Sequence, residues 1–490
     1  MQLRELLQDF PLQSTLTGLG TEGYDAAEVT LITEDSRKVI PGCVFVCVEG
    51  KHFDGHTKAE EAIAAGAVLV VAQKETAATP QLLVEDTRSA YSYLCAAFFG
   101  KPADRLELIG ITGTNGKTTT TKLLKEIFDS QGFKTGLIGT LVNMVGGKEL
   151  PAEFTTPDPW NLQALFAEMV QAGCTHVFME VSSQALAQGR VAGVQFAAAG
   201  FSNLTQDHLD YHGTVEAYAQ AKSQLFKQAS IAVTNLDDAH GLSILKGSPA
   251  RALTYSLSDN DADYTAKNIC LKPTGVRYEL VSKNLIERIN YAVPGSFSVY
   301  NSMLAAVLAI ECGISAESAA EAIAASSGVK GRMELVPVPP EKGYTVIIDY
   351  AHTPDGLENV LQALTKDKEG RLICVFGCGG DRDKGKRPLM GEISSRLADI
   401  TVVTSDNPRT EDPDAIIADI LTGVKAASKH FVEPDRIAAV RLALSLAKPG
   451  DTVLLAGKGQ ETYQILSTGK IHLDEREIAA DYFSESGKNQ

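Results

Sequence analysis

The chain has no C-x-x-C pair, no continuous apolar run of 18 residues, no fixed-period repeat and no low-complexity tract. Its eight cysteines are scattered. Cys43/Cys47 and Cys374/Cys378 are each spaced by three residues, and no nearby histidine completes a metal pattern, so they read as reduced core thiols of a cytosolic protein. Without a long apolar run no membrane span is expected. The opening MQLRELLQDF is amphipathic and acid-bearing, and lacks the apolar stretch of a signal peptide, so a cytoplasmic location is expected. Basic charge is scarce: 45 Lys and Arg face 61 Asp and Glu, a formal net charge of −16. That balance argues against a nucleic-acid partner but does not exclude phosphate ligands, because a phosphate pocket is local. With 22% charged and 44% hydrophobic residues, the composition excludes disorder, collagen and coiled coil as the main description. At about 150 residues per domain, 490 residues suggest roughly three domains.

What is present is strand–helix alternation. Residues 44–50 (VFVCVEG) read as a buried strand, EEAIAAGA as a helix and VLVVAQ as the next strand. Pro102 stops the helix AYSYLCAAFFGKPAD, and a new rhythm begins with LIGIT, THVFMEV and ASIAVTN. The stretch RALTYSLSDNDADYTAKNICLKPTGVRYELVS reads as antiparallel strands on one edge of the central sheet. The paired prolines of ELVPVPPEKGY mark a second boundary. Beyond it TVIIDYA, RLICVFGCGG, DITVVTSDN and DTVLLAGKG are each apolar on consecutive positions, the pattern of parallel strands covered on both faces. Their polar tails, Asp349 to His352, Gly379 to Arg382, Asp406 to Arg409 and Gly457 to Glu461, are expected on one rim, where such sheets bind ligands. The fold class expected is α/β in three domains, 1–102, 103–335 and 336–490, the central one built on a phosphate-loop mononucleotide-binding sheet.

Between the strand ending at Thr112 and the helix starting at Lys117 lies Gly113-Thr114-Asn115-Gly116-Lys117-Thr118-Thr119. Glycines let backbone N–H groups turn toward phosphate oxygens, and the helix N-terminus adds partial positive charge. Lys117 would reach the β- and γ-phosphates, and the Thr118 hydroxyl would ligate Mg²⁺. The strict phosphate-loop pattern calls for glycine at Ile111; Gly110 and Gly113 flank it instead. Glu180 closes the apolar strand THVFME, and position alone leaves it either a Mg²⁺ ligand or an ordinary strand-end acid. His208 and His212 lack the glutamate of a zinc-protease helix, and their polar run suits a loop beside nucleotide and hard cations. Lys222, in EAYAQAKSQLFKQ, reads as a solvated lysine, and Thr155-Thr156-Pro157-Asp158 as a helix start. Arg382, Lys384, Lys386 and Arg387 form a basic cluster suited to an anion, and Arg409 suits bidentate carboxylate recognition.

Taken together, ITGTNGKTTTTKLL, EVSSQALAQGRV, NLTQDHLDYHGTVEAYAQAK, GRME, DYAHTPDGL, GCGGDRDKGKRPLMG, SDNPRTEDP and AGKGQE resemble the Mur ligases, and within them the type that adds diaminopimelate. The resemblance runs from the DSR string at residue 35 to Glu461. It implies a small N-terminal UDP-sugar-binding domain, a central ATP-binding domain and a C-terminal Rossmann-like domain that brings the amino acid. It implies ATP-dependent amide formation in bacterial peptidoglycan synthesis, and hence in cell-wall biogenesis, cell shape and division. The γ-phosphate would pass to the D-glutamate side carboxylate of UDP-N-acetylmuramoyl-L-alanyl-D-glutamate, and the amine of meso-diaminopimelate would attack the acyl phosphate. By the resemblance Lys117, Glu180, His208 and Lys222 are catalytic. Thr118, Glu180, His208 and Lys222 are metal positions, Lys222 as a carbamate formed from CO₂. The muramoyl dipeptide falls to Ser36, Lys51, His52, Phe53, Thr155, Thr156, Ser182, Gln188 and Arg190. ATP falls to Gly113 through Thr119 and to Asn301, Arg332, Asp349 and His352. Diaminopimelate falls to Arg382, Asp406, Asn407, Pro408, Arg409, Gly457 and Glu461. The DNPR string marks diaminopimelate rather than lysine, and Arg409 can bind the extra carboxylate where a lysine ammonium would meet like charge. The alternatives are the same ligase using L-lysine and, of a different class, a non-catalytic nucleotide-binding protein or a plain phosphate-loop ATPase. A monomer without nucleic-acid or membrane partners is expected. Phe154, Ser298 and Gln460 depart from the family's usual Asn, Asn and His.

Overall fold

The computed structural model describes residues 1–18, 27–50, 53–205, 209–272, 274–366 and 368–488. Of the expected site residues, Lys51, His52 and His208 lie outside the described residues. By internal contacts the chain forms two units, Met1–Thr265 with Leu304–Ala319 and Ala266–Met303 with Ala320–Gln490. Three large α/β sheets carry the fold, and among the described residues no helix is long and apolar enough to cross a membrane.

The first sheet holds β1 (Ser14–Thr17), β2 (Leu31–Thr33), β3 (Cys43–Val46), β4 (Leu69–Ala72) and β5 (Gln81–Val84) in the order β1-β5-β4-β3-β2. Only β1 runs antiparallel to its neighbour. Alternation within the apolar runs feeds two cores at once. Val44 and Val46 pack with Ala90, Leu94 and Cys95 of helix Thr87–Phe98, while Phe45 packs with Ala59 and Ala62 of helix Ala59–Ala64.

The central sheet holds β6 (Glu107–Thr112), β7 (Thr135–Ile138), β8 (Asn143–Val145), β9 (Lys148–Leu150), β10 (His176–Glu180), β11 (Phe196–Phe201), β12 (Ala229–Asn235), β13 (Arg251–Ser256), β14 (Tyr264–Lys272), β15 (Gly275–Ser282) and β16 (Leu285–Tyr291). Its order is β16-β15-β14-β13-β12-β11-β6-β10-β7-β8-β9. From β6 the chain crosses to β7, returns to β10 beside β6, then passes to β11 on the opposite side. The strand order therefore reverses at the carboxyl end of β6, the place where such sheets bind ligands. Helix Lys117–Ser130 buries Thr120, Leu123, Leu124, Ile127 and Phe128, the i, i+3, i+4 spacing of one helical face. The expected antiparallel edge does not include β13. β13 is parallel to β12 and meets β14 in parallel at Tyr255↔Tyr264, while β15 and β16 pair antiparallel. Both pairings draw on the same β-formers and turn residues, so composition could not separate them. At the far edge β7, β8 and β9 form an antiparallel meander that turns at Gly146-Gly147.

The third sheet holds β17 (Glu334–Val336), β18 (Thr345–Asp349), β19 (Leu372–Phe376), β20 (Ile400–Val403), β21 (His430–Val432) and β22 (Thr452–Ala456), in the order β17-β18-β22-β19-β20-β21. All but β17 are parallel. Every residue of β19, β20 and β22 is buried, which explains the continuous apolar runs. A hairpin of β23 (Tyr463–Leu466) and β24 (Gly469–His472) follows.

Candidate active site

The phosphate loop leaves the carboxyl end of β6 and enters helix Lys117–Ser130. Gly113 has φ 146°, and a Cβ there would stand 1.9 Å from Ser202 Oγ, so only glycine fits. Gly116 caps the helix in the left-handed region at φ 88°. The loop is held from β11, with Thr114 N donating to Asn203 O (2.8 Å) and Asn115 N to Asn203 Oδ1 (3.0 Å). Lys117 Nζ donates to the carbonyls of Gly113 and Thr114, each at 2.8 Å.

Glu180 ends β10 beside this helix and is 1% exposed. Its Oε2 accepts from Thr118 Oγ1 and Thr140 Oγ1, each at 3.0 Å, and its Oε1 from Thr140 N at 2.9 Å. Its backbone carbonyl accepts from Thr156 Oγ1 at 2.8 Å, and the same hydroxyl accepts from Ser182 N at 3.1 Å. Thr155 Oγ1 lies 3.0 Å from Thr140 Oγ1. Ser182 caps helix Ser183–Ala187. Arg190 donates to Thr156 O (2.7 Å) and Gln188 Oε1 (2.9 Å), and its guanidinium sits 5.3 Å over the Phe154 ring. Thr155, Thr156, Ser182, Gln188 and Arg190 thus converge on one patch next to Glu180 and Thr118. Ser36 opens a short turn capped by Asp35, and Phe53 is half exposed; among the described residues no hydrogen bond or ion pair joins either to that patch.

Lys222 is not solvated, contrary to the composition-based reading. It is 1% exposed, donates to Gly113 O at 2.9 Å and stands 4.3 Å from the Tyr218 ring. The fold, by packing helix Val215–Ser223 under the phosphate loop, buries a lysine that the sequence leaves unmarked. The Thr118 hydroxyl and Glu180 carboxylate are hard oxygen donors of the kind that suits Mg²⁺. An ammonium at Lys222 cannot ligate a cation, whereas a carbamate there would present oxygens toward the loop. Among the described residues, no group of three or more His, Cys, Asp or Glu is placed to hold a metal ion.

The tails of β18, β19, β20 and β22 gather on one rim, around a cleft of about 750 Å³ lined by Tyr350, Arg382, Asn407, Arg409, Gly457 and Glu461 among others. Asn407 Nδ2 donates to Glu461 Oε2 at 3.0 Å. Arg409 adopts φ 53°, held by its N–H to Ile465 O (3.0 Å), and its Nη1 donates to Gly380 O (2.8 Å). Burial would raise the Asp406 carboxyl, but Lys458 and Arg436 outweigh it and hold it below its usual range. Asp349 accepts from Met333 N and Ala351 N, each at 2.8 Å, and burial pushes its carboxyl up against the pull of Arg332. Arg332 lies 5.0 Å over the Tyr350 ring, and His352 Nδ1 is 2.8 Å from Tyr350 O. Asn301 is buried on helix Ser296–Glu311.

The basic cluster does not act as one anion site. Arg387 is 0% exposed and paired with Glu411 and Asp419 at 2.8 Å each, Lys384 reaches Glu411 at 3.3 Å, and Lys386 donates to His352 O. Of the four, Arg382 and Lys386 line the cleft, with no ion pair to either among the described residues. Sequence reasoning missed Thr140, Tyr218 and Lys458. Tyr218 and Lys458 stand in the NLTQDHLDYHGTVEAYAQAK and AGKGQE strings, where no role was given to them, and Thr140 stands outside every such string.

Residues 111–309 match the family described as Mur ligase middle domain, residues 331–459 that described as Mur ligase, glutamate ligase domain, and residues 28–98 that described as Mur ligase family, catalytic domain. A Clostridium acetobutylicum protein named UDP-N-acetylmuramoyl-L-alanyl-D-glutamate–2,6-diaminopimelate ligase 1 is 42% identical over 488 residues, 99% of this chain and 100% of that one. A Synechococcus elongatus ligase of that name, without the numeral, is 46% identical over 492 residues, 98% of each. A solved structure of a UDP-N-acetylmuramoyl-L-alanyl-D-glutamate–2,6-diaminopimelate ligase superposes with a TM-score of 0.76 at 33% identity, covering 99% of both chains.

Proposed function

The chain belongs to the Mur ligase family, and on that premise we infer an ATP-dependent acid–amino-acid ligase that joins meso-2,6-diaminopimelate to the D-glutamate side carboxylate of UDP-N-acetylmuramoyl-L-alanyl-D-glutamate, in bacterial peptidoglycan synthesis. The observation that carries the choice of amino acid is Arg409. It sits at the carboxyl end of β20 in one cleft with Asn407, Gly457 and Glu461, where a second carboxylate can pair with it and a lysine ammonium would meet like charge.

A free carboxylate is a poor electrophile, and phosphorylation gives it a leaving group. The phosphate-loop N–H groups and Lys117 hold the triphosphate, with Asn301, Arg332, Asp349 and His352 assigned to the same nucleotide. Thr155, Thr156, Ser182, Gln188 and Arg190 hold the muramoyl dipeptide, with Ser36, Lys51, His52 and Phe53 assigned to its uridine end. The carboxylate oxygen bonds to the γ-phosphorus as the bond to ADP breaks. The diaminopimelate amine then adds to the acyl carbon and loses a proton, and phosphate departs with the C–O electron pair. Mg²⁺ on Thr118, Glu180 and His208, with a CO₂-derived carbamate on Lys222, would supply charge neutralisation for transfer between two anions. The cytoplasm, where reduced thiols persist, is the compartment assigned.

Phosphate release from ATP tests the reading. It should require the uridine-linked dipeptide and diaminopimelate together. Turnover supported by lysine but not diaminopimelate would select the lysine ligase, and turnover with neither co-substrate would select a plain ATPase.

A further inference from the structure

A lysine lies buried behind the wall of the amino-acid cleft. Lys458 follows Gly457 after β22 and is 0% exposed. Its Nζ donates to Asn407 Oδ1 (2.7 Å), Glu461 Oε2 (3.1 Å) and Tyr463 O (2.9 Å), and stands 3.0 Å from Asp406 Oδ1. Burying an ammonium is costly unless it is paired and hydrogen-bonded, and here both conditions are met. Asn407 Oδ1 also accepts from Ile465 N at 2.9 Å, so the two donors fix the amide with its Nδ2 toward Glu461. The other buried cations nearby are each paired, Arg436 with Glu475 at 2.9 Å and Arg387 with Glu411 and Asp419 at 2.8 Å each.

The charge count at the cleft gives Lys458 a second consequence. Arg382, Lys386 and Arg409 line the cleft as cations, and Asp383, Asp406 and Glu461 as anions, so the lining cancels three against three. Lys458, just behind it, leaves one surplus positive charge. At neutral pH diaminopimelate, with two ammonium and two carboxylate groups, has no net charge, whereas lysine is a net cation. A surplus positive charge held in the buried wall of the cleft disfavours the net cation relative to the zwitterion.

We propose that Lys458 is a specificity-determining residue for the incoming amino acid, supplying the buried counter-charge that favours a dicarboxylic diamine over a monocarboxylic one while orienting Asn407 and Glu461. The proposal rests on the ligase reading above. Its test uses the full-length enzyme as wild type, Lys458→Met and Lys458→Arg. Phosphate release is measured at saturating ATP and uridine-linked dipeptide with diaminopimelate or L-lysine varied, lysine being scored as a competitive inhibitor where its turnover is too slow. In Lys458→Met the preference for diaminopimelate over lysine should fall about tenfold or more, with the KM for ATP unchanged. In Lys458→Arg, which keeps the charge, the preference should stay within about threefold of wild type. Equal losses for both amino acids in Lys458→Met, or collapse of the preference in Lys458→Arg, would overturn the proposal. If Lys458→Met does not fold, the Arg variant decides by the same criterion. Wild-type turnover that needs no amino acid would instead sink the ligase reading.

Discussion

Lys117 and Lys222 both donate to the carbonyl of Gly113, yet they were unequally legible. Lys117 announces itself because strand, glycine loop, Lys-Thr and helix follow in order. Lys222 sits in an ordinary helical string, and only tertiary packing places it under the loop; its assignment came from resemblance. Lys458 was placed with its strand tail on the rim but given no role, because its burial is a property of the fold. At this scale the expectation concerns Lys117→Met, which removes the ammonium and keeps the stem. Phosphate release at saturating substrates should fall about a hundredfold or more, while the KM for diaminopimelate changes little, as single-turnover and steady-state assays would show.

The segment after β19 is the element that shapes the amino-acid cleft, and it is tied down by charge. Glu411 accepts from Arg387 Nη2 (2.8 Å) and Asp381 N (2.6 Å), and Asp381 in turn accepts from Thr410 Oγ1 (2.7 Å). Arg387, with the Asp381 N–H and Lys384, holds the Glu411 carboxyl down to about 2, from a usual 4.5. A lowered native value contributes stability that is complete above 4.5 and is lost as pH falls through the native value. Glu411→Gln should therefore melt below wild type at pH 6, and the gap should close between pH 4.5 and about 2 in thermal scans. A gap that persists at the acid end would refute the pairing. The four strand tails that flank this segment were readable from apolar runs that break into polar residues. The buried pairing of Arg387 was not, since a basic cluster in sequence does not reveal which acids fold against it. The parallel pairing of β13 was hidden for a similar reason: residue type sets strand propensity, and neighbours set direction.

At the scale of the whole molecule, two sequence features keep different weight. The scattered cysteines pointed to reduced thiols, and all eight are free, six of them buried. Burial pushes Cys43 up to about 11 and Cys47, Cys312, Cys374 and Cys378 up to about 12, leaving little thiolate to react. A thiol reagent at pH 8 should label Cys270 first in native protein and all eight sites after denaturation, and reductant should leave the melting temperature unchanged. The net charge of −16 was a poor guide to ligands, because the proposed substrates all carry phosphate or carboxylate groups that meet small local groups. Glu180 closes the account. Its side chain fixes Thr118 at the head of the phosphate-loop helix, and its backbone carbonyl fixes Thr156 in the segment assigned to the dipeptide. On the proposed reading, donor and acceptor of the phosphoryl group would thereby be gauged from a single datum. On that reading, a displacement of β10 would carry both together, so the spacing between the two ends of the transfer would be kept.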